Sequence, residues 1–287
     1  MTERLAELHV HLEGTVSHRT ASELAARHGL PPPPPYLYAD LAGFLAIYRE
    51  VCRSMRTAED FERVIIEHAA AMAAQNIGYA EISLNPSLHE GDGWIDGVVR
   101  GRRRVVRELG IEIAWLIELV RDESLESNTR SLEIALAAEG VVGLGLVGDE
   151  SVPSAPLVPL IERAHAAGLR FMSHAGQVGG AAVVRESLQV LHADRIAHGV
   201  SAIDDSELLA LLVDNGICLC VCPSSNAKIG MQPDFRRLTN AGLALTVSTD
   251  DPAMVGTTLA RELELAEREH GLSRDKMIAA AWRFRFA

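Results

Sequence analysis

Apolar runs of strand length recur along this chain, each parted from the next by a segment with helical spacing. They fall at 5–12, 78–84, 111–120, 141–147, 169–173, 195–198, 217–222 and 243–248. Between them, 61–75, 97–109, 127–138 and 181–192 place apolar residues three and four apart, the period of a helix with one buried face. Gly110, Gly140, Gly168, Gly216 and Gly242 stand just before strands. Glycine ends a helix there because it takes left-handed backbone without steric cost. Strands alternating with helices predict a parallel sheet, and eight such units in 287 residues predict an α/β fold, a closed (β/α)8 TIM barrel. An open doubly wound sheet is the rival, but the G-x-G-x-x-G expected after its first strand is missing. The chain, 1–287, therefore reads as one domain.

The connection between the first two strands is much longer than the others. It carries five prolines at 31–35, a stiff extended stretch, and then helical stretches to residue 60. An insertion after a barrel strand lies at the catalytic face. Segment 31–60 is therefore expected to be a lid or specificity element, with a plain spacer as the other reading of the prolines. Phe44 and Tyr48, four apart, are placed either to cover a bound ring or to pack as an aromatic core pair.

Composition narrows the field. Hydrophobic residues make up 48% and charged residues 23%, the balance of a soluble globular protein. A formal net charge of −12 disfavours nucleic acid and membrane surfaces as partners. No stretch approaches the ~18–20 apolar residues of a membrane span. The start, Met1-Thr2-Glu3-Arg4, lacks the basic region and apolar core of a signal peptide, so a cytoplasmic location is expected. Cys218, Cys220 and Cys222 alternate along one strand face, and with Cys52 they read as reduced core thiols, since C-x-x-C spacing is absent.

The chemistry gathers at strand ends. Strand one ends in His9-Val-His11, whose two imidazoles face the same way about 6–7 Å apart and can reach one cation. Strand five ends at His174, strand six at His198, and strand eight at Asp250-Asp251. The C-terminal ends of barrel strands converge on one mouth, and closure sets strand eight beside strand one. Imidazole nitrogen and carboxylate oxygen are the ligands a catalytic zinc takes, although iron or manganese fits the same donors. Any one of these histidines alone would be an ordinary structural residue; four histidines and two aspartates on four strand ends point to a metal centre.

The ordered motifs resemble those of the adenosine/AMP deaminase family. They are His9-Val-His11-Leu-Glu13-Gly14, Gly145-Leu-Val-Gly148-Asp-Glu150, Ser173-His174-Ala-Gly176, Arg195-Ile-Ala-His198-Gly199, Cys222-Pro-Ser-Ser-Asn226 and Ser248-Thr-Asp250-Asp251-Pro252. The resemblance runs from about residue 5 to 275. It implies one Zn2+ held by His9, His11, His174 and Asp250, with His198 orienting or deprotonating the zinc-bound water. It implies that Asp251 bonds purine N7, that the Gly148 backbone holds the base near N3, and that Glu13 faces a ribose. The implied reaction is attack of hydroxide at C6 of adenosine or a related 6-aminopurine nucleoside or base, with release of ammonia.

Two positions depart from the family pattern. Where the family has H-A-G-E, this chain has His174-Ala-Gly-Gln177. The family's Glu is its general acid; Gln177 can donate a hydrogen bond to purine N1 but cannot transfer a proton. Acid–base catalysis is typically worth about 10²–10⁴-fold. Three explanations stand: an acid removed by engineering, a natural variant whose substrate needs no proton at N1 or supplies its own acid, or a non-catalytic relative that binds a ligand or nothing. The alternative functions are a variant hydrolase acting on another C–N or amide bond and a nucleoside-binding pseudoenzyme. In strand two, Ser83 replaces the Arg of the family's E-x-R-x-x-P. Other hydrolytic designs are excluded. His11-Leu-Glu13 has no P-C-x-x-C partner for a cytidine-deaminase site, and no G-x-S-x-G elbow is present.

Overall fold

The structure, a computed structural model, describes residues 4–286. Eight parallel strands follow one another around a single sheet: β1 (Leu5–His11), β2 (Ile77–Leu84), β3 (Glu112–Val120), β4 (Val141–Val147), β5 (Arg170–Ala175), β6 (Arg195–His198), β7 (Cys218–Val221) and β8 (Ala244–Val247). The ring closes through a bridge between Val10 and Asp250. His11 N–H donates to the Asp250 carbonyl at 2.8 Å, and Asp250 N–H donates to the His9 carbonyl at 3.1 Å. The seam of this (β/α)8 barrel therefore runs through three of the residues expected to hold a metal.

Periodicity explains the layering. Along β2, Ala80, Ile82 and Leu84 face the main apolar layer between sheet and helices. Tyr79, Glu81 and Ser83 alternate with them, and Tyr79 packs in the small interior cluster of Leu8, Leu116, Met172 and Cys220. The lower interior also holds an ion pair between Arg195 and Glu81, both fully buried. Arg195 donates further to the Leu8 carbonyl at 3.1 Å and the Phe284 carbonyl at 2.8 Å. Its guanidinium lies 3.9 Å from the Phe286 ring centre. Gly110, Gly168, Gly216 and Gly242 stop helices as expected, whereas Gly140 does not: the helix Leu125–Ala137 already ends at Ala138, in extended backbone. Gly110, for example, closes the helix Trp94–Leu109 at φ 60°, and its N–H donates to the Val106 carbonyl.

The long connection after β1 departs in one boundary. Its helix Leu41–Ser54 packs on the turns after β1 and β2, and Tyr38 Oη donates to the Met254 carbonyl beyond β8 at 3.4 Å. The insertion therefore rests on the C-terminal face. Its far end lies earlier than residue 60. Thr57 and Asp60 form a reciprocal capping box that starts the outer helix Ala58–Ala74, so 58–60 belong to the ring. Among the described residues, no helix is long and apolar enough to cross a membrane.

Candidate active site

The strand ends bring the chemistry together within a few ångströms. His9 Nε2 lies 2.9 Å from His174 Nε2, and His11 Nε2 lies 3.1 Å from the same atom. Asp250 Oδ1 stands 3.1 Å from His9 Nε2 and 3.2 Å from His11 Nε2. Zinc–nitrogen bonds of ~2.0–2.1 Å would set the corners of a tetrahedron about 3.3–3.4 Å apart. The observed spacings approach that figure, and all four side chains are buried or nearly so. Three imidazole nitrogens and one carboxylate oxygen aimed at a common point cannot all satisfy one another as hydrogen-bond partners; they fit a cation.

Electrostatics agrees. Burial, reinforced by the neighbouring imidazoles, drives the His174 pKa well down and keeps its lone pair free. Burial by itself would raise the Asp250 pKa, but His9 and His11 outweigh it and hold the carboxylate ionised. Burial also presses His11 toward neutrality, yet Glu118 and Asp250 overcome it and raise its pKa. The backbone is strained at the same place: Asp250 at φ 63° and His198 at φ 61° are left-handed without being glycine. Such residues cost of order 1–3 kcal/mol each and gather at functional sites.

Around this cluster stands a second ring. His198 Nε2 is 3.8 Å from Asp250 Oδ2, while its Nδ1 lies 3.1 Å from Asn226 Oδ1. Burial pushes the His198 pKa down to about 3, so the ring is neutral at pH 7. Gln177 Nε2 donates to the same Asn226 oxygen at 3.4 Å. Asn226 thus ties His198 to Gln177. Ser225 Oγ donates to Asp250 Oδ2 at 2.6 Å. Asp251 is buried with Oδ1 unpartnered, and burial together with Asp250 raises its pKa well above the usual carboxylate range. Gly14 lies against it: a Cβ there would meet Asp251 Oδ1 at 2.0 Å.

The turn bearing Gln177 is held from below. Glu150 Oε2 accepts from the N–H groups of Gly176 and Gly179, both at 2.8 Å, and Oε1 accepts from Gln177 N–H at 3.1 Å. Arg121 donates to the His174 carbonyl at 2.6 Å. Gly148 sits at the exposed lip of β4 with φ 97°.

Glu13, expected to face a ribose, lies on the turn directly after β1. It is fully buried, and its carboxylate is occupied within the protein. Asn85 N–H donates to it at 3.1 Å, Tyr48 Oη donates at 3.2 Å, and His89 Nε2 lies 3.0 Å away. Tyr48 is thus anchored to Glu13. Phe44, half-buried, packs 5.5 Å from Tyr48 and 5.3 Å from Tyr38, ring centre to ring centre. Sequence reasoning gave no role to His89, Asn226, Ser225 or Glu118. Two signals could have found some of them: the Cys222-Pro-Ser-Ser-Asn226 turn directly after β7, and a carboxylate at 118 inside an apolar strand.

A family model described as adenosine deaminase matches residues 5–283. The chain belongs to that family. Members are hydrolases acting on C–N bonds, and so is this protein. It is 36% identical to an aminodeoxyfutalosine deaminase of Streptomyces avermitilis, covering 92% of this chain and 80% of that one. It is 35% identical to an adenine deaminase of Rhizobium leguminosarum bv. trifolii, covering 93% and 88%. The crystal structure of adenine deaminase from Arthrobacter aurescens superposes with a TM-score of 0.92 at 28% identity, covering 99% of this chain and 94% of that one.

Proposed function

We propose that this member of the adenosine deaminase family is a zinc-dependent aminohydrolase of 6-aminopurines, with adenine favoured over adenosine. The convergence of His9, His11, His174 and Asp250 carries the metal part of this reading. A zinc ion held there would supply Lewis acidity and bring a water's pKa toward neutrality. The other residues would act on the base and on protons. Neutral His198, steadied by Asn226 through Nδ1, presents Nε2 as the proton acceptor beside the cluster. Asp251, kept protonated, would donate to purine N7, and the Gly148 backbone would hold the N3 side. Gln177 would donate its amide N–H to N1.

The preference for the free base rests on Glu13. Asn85, His89 and Tyr48 engage its oxygens and it is fully buried, which leaves it less open to ribose hydroxyls. Relatives named adenine deaminase support the same choice. Phe44 and Tyr38, on the segment packed against the mouth, would form the lid over the ring.

Gln177 favours a second reading, in which purine is held without being converted. Ammonia release from adenine, adenosine, aminodeoxyfutalosine and N6-substituted purines decides between them, with the protein as it stands beside Gln177→Glu. Adenine is expected to turn over fastest, and Gln177→Glu to raise kcat by about 10²–10⁴-fold. If only the Glu variant releases ammonia, the present chain binds without converting. If neither does, although both carry zinc, the aminohydrolase reading falls.

A further inference from the structure

Glu118 lies in β3 among Trp115, Leu116, Ile117, Leu119 and Val120, and is 2% exposed. A carboxylate in such surroundings is costly without a partner. Its Oε1 stands 2.9 Å from His11 Nδ1, with the ring N–H angled off the line between them, and that oxygen has no other partner among the described residues. The neighbouring strand makes room for it. Gly145 of β4 sits in register beside Glu118, and a Cβ built there would come 3.2 Å from Glu118 Cγ and 3.8 Å from Oε1. Gly145 is not in the left-handed region, so its backbone does not require glycine. The volume left by the missing side chain is the volume Glu118 uses.

We propose that Glu118 is the positioning residue of His11: its carboxylate engages Nδ1–H and so turns the Nε2 lone pair toward the metal. The inference rests on the metal reading above. An imidazole has two distinct nitrogens, and the partner of one fixes the role of the other. His11 Nε2 faces His174 and Asp250, so Nδ1 must carry the proton. His9 contrasts with it, because its Nδ1 meets only neutral groups, the Cys220 carbonyl at 3.5 Å and the Cys222 thiol at 3.4 Å. Glu118 therefore makes His11 the imidazole with an anionic partner behind it, which fixes its ring and strengthens it as a donor.

The test measures zinc affinity by competition with a chromophoric chelator, and the visible absorption of the cobalt-substituted protein. Neither needs turnover. Glu118→Ala should weaken zinc by about 10–100-fold and alter the cobalt bands. Glu118→Gln, which keeps an oxygen near Nδ1, should lose less. The double variant Glu118→Ala with Gly145→Asp should regain much of the affinity and the original bands, since the new carboxylate enters the vacated space from the next strand. Wild-type affinity and bands in folded Glu118→Ala would overturn the inference. So would a loss in Glu118→Ala that Gly145→Asp does not repair while Glu118→Gln keeps wild-type affinity and bands, the pattern of a packing role. Failure of the unaltered protein to bind zinc is a separate outcome, which removes the metal reading and this inference with it.

Discussion

Gly14→Ala should disable the site through one methyl group. A Cβ on Gly14 would lie 2.0 Å from Asp251 Oδ1 and 2.6 Å from both its Cβ and Cγ. Ordinary van der Waals contact begins near 3.4 Å. The carboxyl must therefore retreat by about 1.4 Å, and a rotation about χ1 cannot achieve this because the Asp251 Cβ is itself too close. A misplacement of about 1 Å at a positioned group costs on the order of 10²-fold in rate. The expected loss in kcat/KM is accordingly about 100-fold or more, equivalent to ~2.7 kcal/mol of transition-state stabilisation. Overpacking of this kind also costs the fold about 1–3 kcal/mol.

Steady-state ammonia release on the turnover-competent form, with zinc content and Tm measured on the same samples, separates the two effects. Gly14→Ala should stay folded, retain zinc and lose rate. An Asp251→Gly background supplies the control, because no side chain remains there to be struck. In it, Gly14→Ala should add little further loss, a clear departure from additivity. Full activity in Gly14→Ala, or equal losses in both backgrounds, would refute the argument that Gly14 exists to admit Asp251.

Two further expectations concern the fold. Burial pushes the His68 pKa from 6.5 down to about 4, with Nε2 unpartnered. The unfolded chain therefore takes up the proton first, and stability is lost as pH falls from about 6.5 toward 4, by up to ~3 kcal/mol. Urea denaturation of His68→Leu should show a shallower fall than wild type across that window; parallel curves would contradict it. Arg195→Met should cost about 3–5 kcal/mol by leaving Glu81 charged without a counter-charge in the barrel interior. Glu81→Gln added to Arg195→Met should recover part of that loss in Tm, while zinc affinity stays near wild type throughout.

The single strand β6 shows which parts of the molecule could be read from sequence. Arg195 and His198 sit at its two ends, three residues apart. One braces the barrel floor and the other faces the mouth, the division between stability and chemistry that this fold imposes. Strand positions were legible because alternation and helical period are local, and the stop glycines are local as well. The cluster of His9, His11, His174 and Asp250 was legible because closure of a barrel brings all strand ends to one place, whatever the connecting segments do. The start of the outer helix at Ala58 was available too, in the Thr57–Asp60 capping box. Glu13 was not legible. Whether its carboxylate faces the cavity or the protein depends on Asn85, His89 and Tyr48, which lie 35 to 76 positions away along the chain. Asn226 bridges His198 and Gln177 across similar separations. A motif names the residues that meet at a mouth. Which of them satisfy one another, and which are left for a ligand, is decided by partners that only the closed barrel supplies, and in this chain that difference separates a Glu13 held by three partners from an Asp251 whose Oδ1 has none.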